Sequence, residues 1–464
     1  MRTDSFAAYL RSLVVGANTP VPVTSGKYVT AINFDNAATT PPFYSVMKEI
    51  INFAPWYSSV HRGAGYKSIL SSDIYEQGRK TVASFVNADS AKDVVVFTKN
   101  TTEAINLIAY TLFQGDANEI VLSTDMEHLA NDLPWQNKCT VDYVNIDCDG
   151  RLCLEDMKST LQKYQGRVKL VAITGASNVT GHINPIYKVA KLAHKYGAKV
   201  LVDGAQMVPH CPINMRLHSS PEHIDYLVFS AHKMYAPFGV GVLIGPKETF
   251  IESEPVIKGG GIVKLVTRRF IDWDEPPYKE EAGTPNAMGV AALIAAIKTL
   301  KYVGMEDIHK YERQLIEYTI QGLKCIPGIT LYCCESQHEE RVSLISFTLD
   351  GVHHKLLAEL LSREAGIAVR SGLFCAHPYV QKLLKLSDAD IDYYHSNLDA
   401  KFPGLVRVSL GLYNNYNEID VFLYLLNSIA RNKEYYKQKY CAAARPVESS
   451  AQEAWFNVPR RRLP

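Results

Sequence analysis

The sequence predicts an α/β protein in which a large, mainly parallel sheet is sandwiched by helices and a smaller α+β domain follows it. Three observations carry that prediction. Short apolar runs alternate with helix-length segments through residues 90 to 245, the pattern of a parallel sheet covered on both faces. From about residue 326 the pattern changes, and ITLYCC, VSLISFTL and GIAVRSG read as short strands set between helices. The 464 residues also exceed what one hydrophobic core organises, so the chain divides. A hydrophobic share of 47% and a charged share of 21% are ordinary for a globular protein, and a net charge of +1 with no basic half gives nucleic acid nothing to bind. No apolar run reaches the ~18 residues of a membrane span. The opening MRTDSFAAYLRSLVVGANTP carries Asp4 and lacks the apolar core of a secretory signal. Nine cysteines, without CxxC pairs or metal-type Cys/His spacing, point to a reducing cytoplasm and to no metal site; the odd count raises the question of a reactive thiol.

Residues 1 to 30 read as a helix and a loop, broken by Thr19, Pro20 and Pro22. INFDNAATTPP is a short strand that breaks at Asp35 and Asn36, where Ala37 and Ala38 permit close backbone approach. Trp56 to Ser68 form a polar, glycine-containing loop of the kind that lines sites; His61 within it reads, on spacing alone, as a surface histidine. SSDIYEQGRKTVASFV follows as an amphipathic helix with Ile74, Val82 and Phe85 on one side. The strand Val94 to Phe97 leads into Asn100, Thr101 and Thr102 at a helix start, where hydroxyls and free N–H groups suit an anion such as phosphate; an N-cap without a ligand is the commoner use. His128 stands at a further helix start after the strand Ile120 to Leu122, and VKLVAITGASNVTG ends at Ser177 and Asn178.

The chain is organised around Ala198 to Pro237. One apolar run, Val200 to Val202, stops on Asp203; a second, Tyr226 to Phe229, stops on Ser230, Ala231, His232 and Lys233. Buried strands of an open α/β sheet present such tips to a ligand crevice, so one carboxylate and one lysine face one site. Pyridoxal phosphate (PLP) needs those two groups: a lysine to hold its aldehyde as a Schiff base and a carboxylate to keep its ring nitrogen protonated. A helix cap or salt-bridge partner and a solvated lysine remain the bland alternatives. Beyond this stretch, the glycines at 259 to 261 make a mobile or closely packed loop, and residues 287 to 324 include the long helix that joins the two domains. RSGLFCAHP sets Cys375 in a loop, and LVRVSLGLYNN puts Arg407 on a strand. The tail after about 440 is expected to be disordered or loosely docked.

DNAATT, VHRG, NTTEAIN, MEHLAN, SNVTG, VDGAQ, FSAHKMY, EAGTPN and RSGLFCAHP together resemble, in family order, the class V, fold-type I PLP enzymes, and within them the cysteine desulfurases of the SufS-like group. The likeness covers roughly residues 30 to 435. It implies a seven-stranded large domain over 31–290, a small domain over 291–438 carrying the Cys375 loop, an N-terminal segment (1–30) packed on the small domain, and a tail from 439. It implies PLP on Lys233, with His128 stacked on the ring and moving protons, Asp203 at the ring nitrogen, and Asn178 and Gln206 at the ring hydroxyl. Thr101, Thr102, Ser230 and His232 become the phosphate cradle. Thr284 reaches the other subunit's cofactor in a homodimer. Asn36, His61, Arg370 and Arg407 become substrate contacts, Arg407 as the carboxylate clamp. The implied reaction takes L-cysteine, and by extension L-selenocysteine, to L-alanine and leaves sulfur on Cys375 as a persulfide for an acceptor protein. His377, two residues from Cys375, is a candidate aid to thiolate formation. The segment 379–404 is longer than is usual in the group, and Ala231 and Ala236 replace glycines common around the lysine. Two other readings share most of these residues: a class V aminotransferase, epimerase or lyase with Cys375 idle, and a non-catalytic scaffold or sulfur-relay partner.

Overall fold

The computed structural model describes residues 2–332, 340–397 and 399–441. Its centre is a seven-stranded sheet: β1 (Asp93–Thr98), β2 (Ile120–Thr124), β3 (Thr140–Val144), β4 (Val168–Thr174), β5 (Lys199–Asp203), β6 (Tyr226–Ser230) and β7 (Gly241–Pro246), in the order β1-β7-β6-β5-β4-β2-β3. Only β7 runs against its neighbours. β2, β6 and β7 are buried along their whole length, which explains why they read as continuous apolar runs rather than alternating ones.

A second sheet, β8 (Ile329–Tyr332), β9 (Leu344–Leu349), β10 (Arg370–Gly372) and β11 (Leu405–Ser409), is antiparallel in the order β8-β9-β11-β10. GIAVRSG, which reads as one strand, serves two sheets: Ile367–Ala368 pairs with Ile32–Asn33, while Arg370–Gly372 pairs with β11. The two sheets meet tightly at Gly181. Its φ of +80° favours glycine, and a Cβ there would lie 2.7 Å from the Leu344 carbonyl oxygen.

The N-terminal helix α1 (Arg2–Ser12) docks through Arg11, which pairs with Glu418 at 2.7 Å, and through Phe6 edge-on to Tyr311. Helix α2 (Tyr66–Phe85) starts earlier than its apolar pattern suggests, and its buried side is Ser68, Ser71, Tyr75, Gly78, Arg79 and Val82; Ile74 and Phe85 are only half-buried. The polar choice has a cause: Arg79 forms a two-point pair with Glu281, 2.7 Å on each side, under the Tyr75 and Phe97 rings. Helix α3 is Thr101–Leu112. The stretch 287 to 324 is not one long helix. Gly304, at φ +96°, divides α4 (Ala287–Val303) from α5 (Met305–Lys324), and the two are bent by 77°. Among the described residues no single helix is long and apolar enough to cross a membrane. Within the long 379–404 segment, α6 (His377–Leu383) is followed by α7 (Asp388–Ser396), which has a Ser387–Asp390 capping box and no buried residue. Cys333, Cys334 and the tail from 442 lie outside the described residues.

Candidate active site

The C-terminal tips of the parallel strands open on a cavity of about 230 Å³ lined by Lys233, Asp203, His128, Asn178, Gln206, Thr101, Thr102, Ser230, His232, Arg370, Cys375 and Arg407. Adjacent strands explain the pairing of carboxylate and lysine: Asp203 lies opposite Val228 in the β5–β6 ladder, and Lys233 follows on the short turn after β6. Lys233's accessible surface faces this cavity rather than open water, so its amine behaves as a buried group. Burial pulls its pKa down to about 8 and Arg407 assists, against the opposing pull of Asp203 and Cys375. Burial raises Asp203 above the ordinary carboxylate range, although the Ala205 N–H, 2.9 Å from one oxygen, and Lys233 oppose it.

His128 precedes a short helical turn and accepts the Ala130 N–H at Nδ1 (3.0 Å), which leaves the proton of the neutral ring on Nε2. Burial, with Lys233 and Arg407 nearby, lowers its pKa to about 4. His232 is likewise brought to about 4, by burial and then Lys233. At the other end, the N-terminus of α3 faces the cavity. Ser230 Oγ receives the Thr101 N–H at 2.8 Å and lies 2.6 Å from Thr101 Oγ1. Gly241 makes the approach possible, since a Cβ there would sit 2.4 Å from the Asn100 carbonyl carbon.

Arg407, on β11, donates to the Asn178 carbonyl (2.9 Å) and to Asp35 (3.2 Å), while Arg370 reaches the other Asp35 oxygen at 3.6 Å. Asp35 therefore lies across both guanidinium groups, a role its motif did not reveal. Cys375 is exposed on the Leu373–Ala376 turn. Phe374 and Cys375 take φ values of +51° and +54°, an arrangement normally left to Asn and Gly. The turn is held from outside: the Asn178 amide donates to the Phe374 carbonyl (2.8 Å), Leu129 N–H to the Cys375 carbonyl (2.7 Å), and the Phe374 ring lies 5.0 Å from the Arg407 guanidinium carbon. Lys233 and Arg407 are the cations that feel the Cys375 sulfur; His377 is exposed at the start of α6.

Asn36 and His61, expected as substrate contacts, do not line this cavity, and Thr284, expected at the other subunit's cofactor, lies with His61. Asn36 is buried and spends its side chain on the protein: its amide donates to the Asn33 and Ser409 carbonyls and to Asn414, and its oxygen accepts from Asn33 and Tyr413. It therefore ties the DNAATT turn to β11 and does not line the cavity. His61 and Thr284 line a separate cavity of about 630 Å³ with Gly260 and Gly261. Glu127 was missed. It is buried behind His128, accepts from Thr124 (2.6 Å), Thr174 N–H (2.9 Å) and Asn131 (2.7 Å), and is pushed by burial up to about 8. Its acceptor spacing, Thr three before and Asn four after, is the one trace of it in the sequence.

This sheet, with a lysine and a carboxylate at adjoining strand tips, defines a class of enzyme. The "Aminotransferase class-V" family model matches residues 32–422, and the chain belongs to that family, whose enzymes work with PLP. Within it, the similarity is to cysteine desulfurases. The chain is 38% identical over 411 residues to a probable cysteine desulfurase of Synechocystis sp., covering 86% of this chain and 91% of that one. It is 35% identical over 414 residues to one from Halalkalibacterium halodurans, covering 87% and 94%. Among solved structures, the apo cysteine desulfurase of Thermococcus onnurineus superposes with a TM-score of 0.76 at 31% identity, covering 86% of this chain and 95% of that one.

Proposed function

We infer that the protein is a PLP-dependent cysteine desulfurase that converts L-cysteine to L-alanine and takes the sulfur on Cys375. The observation that carries this reading is the single cavity in which Lys233, Asp203 and the Cys375 loop converge. Its residues fit PLP. Gln206 Oε1 is buried with no partner among the described residues, an acceptor suited to a ring hydroxyl, and the start of α3 with Ser230 suits a phosphate. Lys233 would hold the aldehyde, Asp203 the ring nitrogen, and Thr101, Thr102, Ser230 and His232 the phosphate; bound there, PLP supplies an electron sink for the carbanion at the substrate Cα.

The chain's own groups do the rest. With a pKa near 8, Lys233 Nζ exists in part as the neutral amine that accepts the Cα proton near neutral pH. The neutral His128 ring offers a flat face and one N–H donor. Asp203, which burial holds above the ordinary carboxylate range, would be drawn toward its charged form by a cationic ring nitrogen placed beside it. Arg407 orients the substrate carboxylate. The Cys375 thiolate attacks the substrate sulfur; the Cβ–S bond breaks, sulfur remains as a persulfide, and the three-carbon fragment leaves as alanine after protonation. An acceptor thiol then removes the outer sulfur.

Two companion readings belong with this one. His61 and Thr284, together in a second cavity, and the exposed Leu265, Val266, Phe270 and Ile271 on the hairpin of Val263–Val266 with Ile271–Trp273 support a homodimer in which each chain completes its partner's site. The free Cys375 that a persulfide requires fits a reducing, cytoplasmic setting. The deciding experiment incubates the protein with L-cysteine and a reductant and measures alanine and sulfide together. Equal amounts of the two support the inference, and Cys375→Ser abolishes both. Undiminished turnover in that variant would instead favour a PLP enzyme in which Cys375 is idle.

A further inference from the structure

At the opposite end of the sheet from the cavity, Asp93 opens β1, and His218 and His223 lie on the loop that leads into β6. One ligand atom from each falls within 4.8 Å of the other two. Their surroundings specify how each is presented. The Asp93 side chain is 1% exposed; its Oδ2 accepts the Asp89 N–H (2.9 Å), and its Oδ1 is turned to His218 Nε2 at 2.8 Å. His223 is 3% exposed, and its Nδ1 lies 2.9 Å from the Arg216 carbonyl and 3.1 Å from that of Met215. Carbonyls only accept, so Nδ1 carries the hydrogen and Nε2 of the neutral ring is a bare lone pair. That nitrogen is buried with no hydrogen-bond partner among the described residues.

A sealed lone pair is costly unless something binds it. A backbone carbonyl on Nδ1 is also the outer-shell arrangement that points Nε2 of a histidine at a metal. The His218 and His223 rings lie 4.0 Å apart between centroids, which keeps a ligand atom of each within 4.8 Å of the Asp93 carboxylate.

We propose that Asp93, His218 and His223 form a site for a divalent first-row cation, zinc foremost, with water as fourth ligand. Two imidazoles and a carboxylate are borderline-to-hard donors suited to that ion, and an open fourth position is usual for such a trio. On binding, the proton of His218 moves from Nε2 to Nδ1, and the Nε2–H···Oδ1 bond is replaced by one metal bond from each atom. The ion then fastens the loop before β6 to the start of edge strand β1. Its role is mechanical, and it lies away from the coenzyme. The sequence hides this trio because 125 residues separate Asp93 from His218, with no spacing motif between them.

The test uses untagged, coenzyme-loaded protein carrying Cys148→Ser, Cys325→Ser and Cys375→Ser, so that these exposed thiols cannot take the ion. After chelation, zinc is titrated calorimetrically, and crystals grown with zinc are measured at its absorption edge. The expected result is one equivalent bound, an anomalous peak between the three side chains, and a higher Tm with zinc. His223→Gln, which keeps an N–H donor for the carbonyls, should weaken binding by more than ~100-fold, beyond what loss of an outer-shell partner alone costs. It should also abolish the Tm gain while leaving the coenzyme spectrum intact. Failure to bind zinc, a peak elsewhere, or equal affinity in His223→Gln would overturn the proposal. If the variant does not fold, the anomalous peak in the parent decides.

Discussion

Asp203 ends the β5–β6 ladder, Ser230 ends β6 opposite Gly241 of β7, and Lys233 follows on the short turn directly after Ser230. Cys375 stands on a turn whose two central residues both hold the left-handed conformation and whose shape depends on hydrogen bonds from Asn178 and Leu129. The floor of the cavity is thus built by the sheet and the turn that follows β6, and its Cys375 rim by contacts that are external to the Leu373–Ala376 turn. The floor needs no special local sequence once the sheet exists. The rim carries a cost of roughly 1–2 kcal/mol per left-handed residue and stays formed only while its neighbours hold it.

The sharpest way to break this contrast is at the floor. Lys233→Ala should remove the coenzyme's imine absorption and lower desulfuration by at least ~10³, the scale of lost proton transfer. Retained absorption would place the coenzyme elsewhere. A second test follows from burial of the amine. Because the folded pKa lies near 8, below the ordinary lysine value, the unfolded chain binds more protons between about pH 8 and 10.5. The coenzyme-free protein should therefore gain stability as pH rises through that window, by no more than ~3 kcal/mol, and Lys233→Met should flatten the slope in urea titrations.

At the rim the effects are smaller. Asn178→Ala removes the bond to the Phe374 carbonyl and should slow persulfide formation about tenfold, the worth of one hydrogen bond, with a lesser change in coenzyme affinity. If coenzyme affinity falls and persulfide formation does not, Asn178 serves the floor alone. The finest measurement compares two variants that both lack sulfur chemistry. Cys375→Gly should be more stable than Cys375→Ala by up to ~1 kcal/mol, since glycine adopts the positive φ freely; equal stability would mean that the turn is not strained.

The floor was legible in the sequence because its residues follow apolar runs directly, and a strand that stops on Asp203 or Ser230 announces where it stops. The parallel sheet was legible for the same reason. The α2 face was not, because Arg79 and Glu281 bury each other and erase the apolar period over a turn. The break at Gly304 hid inside a stretch rich in alanine and leucine. Asn36 sits in a motif shared with enzymes of this kind, but its hydrogen-bonding capacity is spent on Asn33, Ser409, Asn414 and Tyr413. Asp35 and Glu127 escaped because their roles depend on partners far along the chain, Arg407 and Thr174 among them.

Asp35 has a final consequence for how an amino acid enters the reaction proposed above. One resident carboxylate is shared between Arg407 and Arg370, so the two guanidinium groups keep one positive charge in excess, which an arriving carboxylate balances. Admission then rests on that remaining attraction and on fit. Asp35 touches Arg407 through one oxygen, whereas an untethered carboxylate is free to meet the guanidinium plane with two.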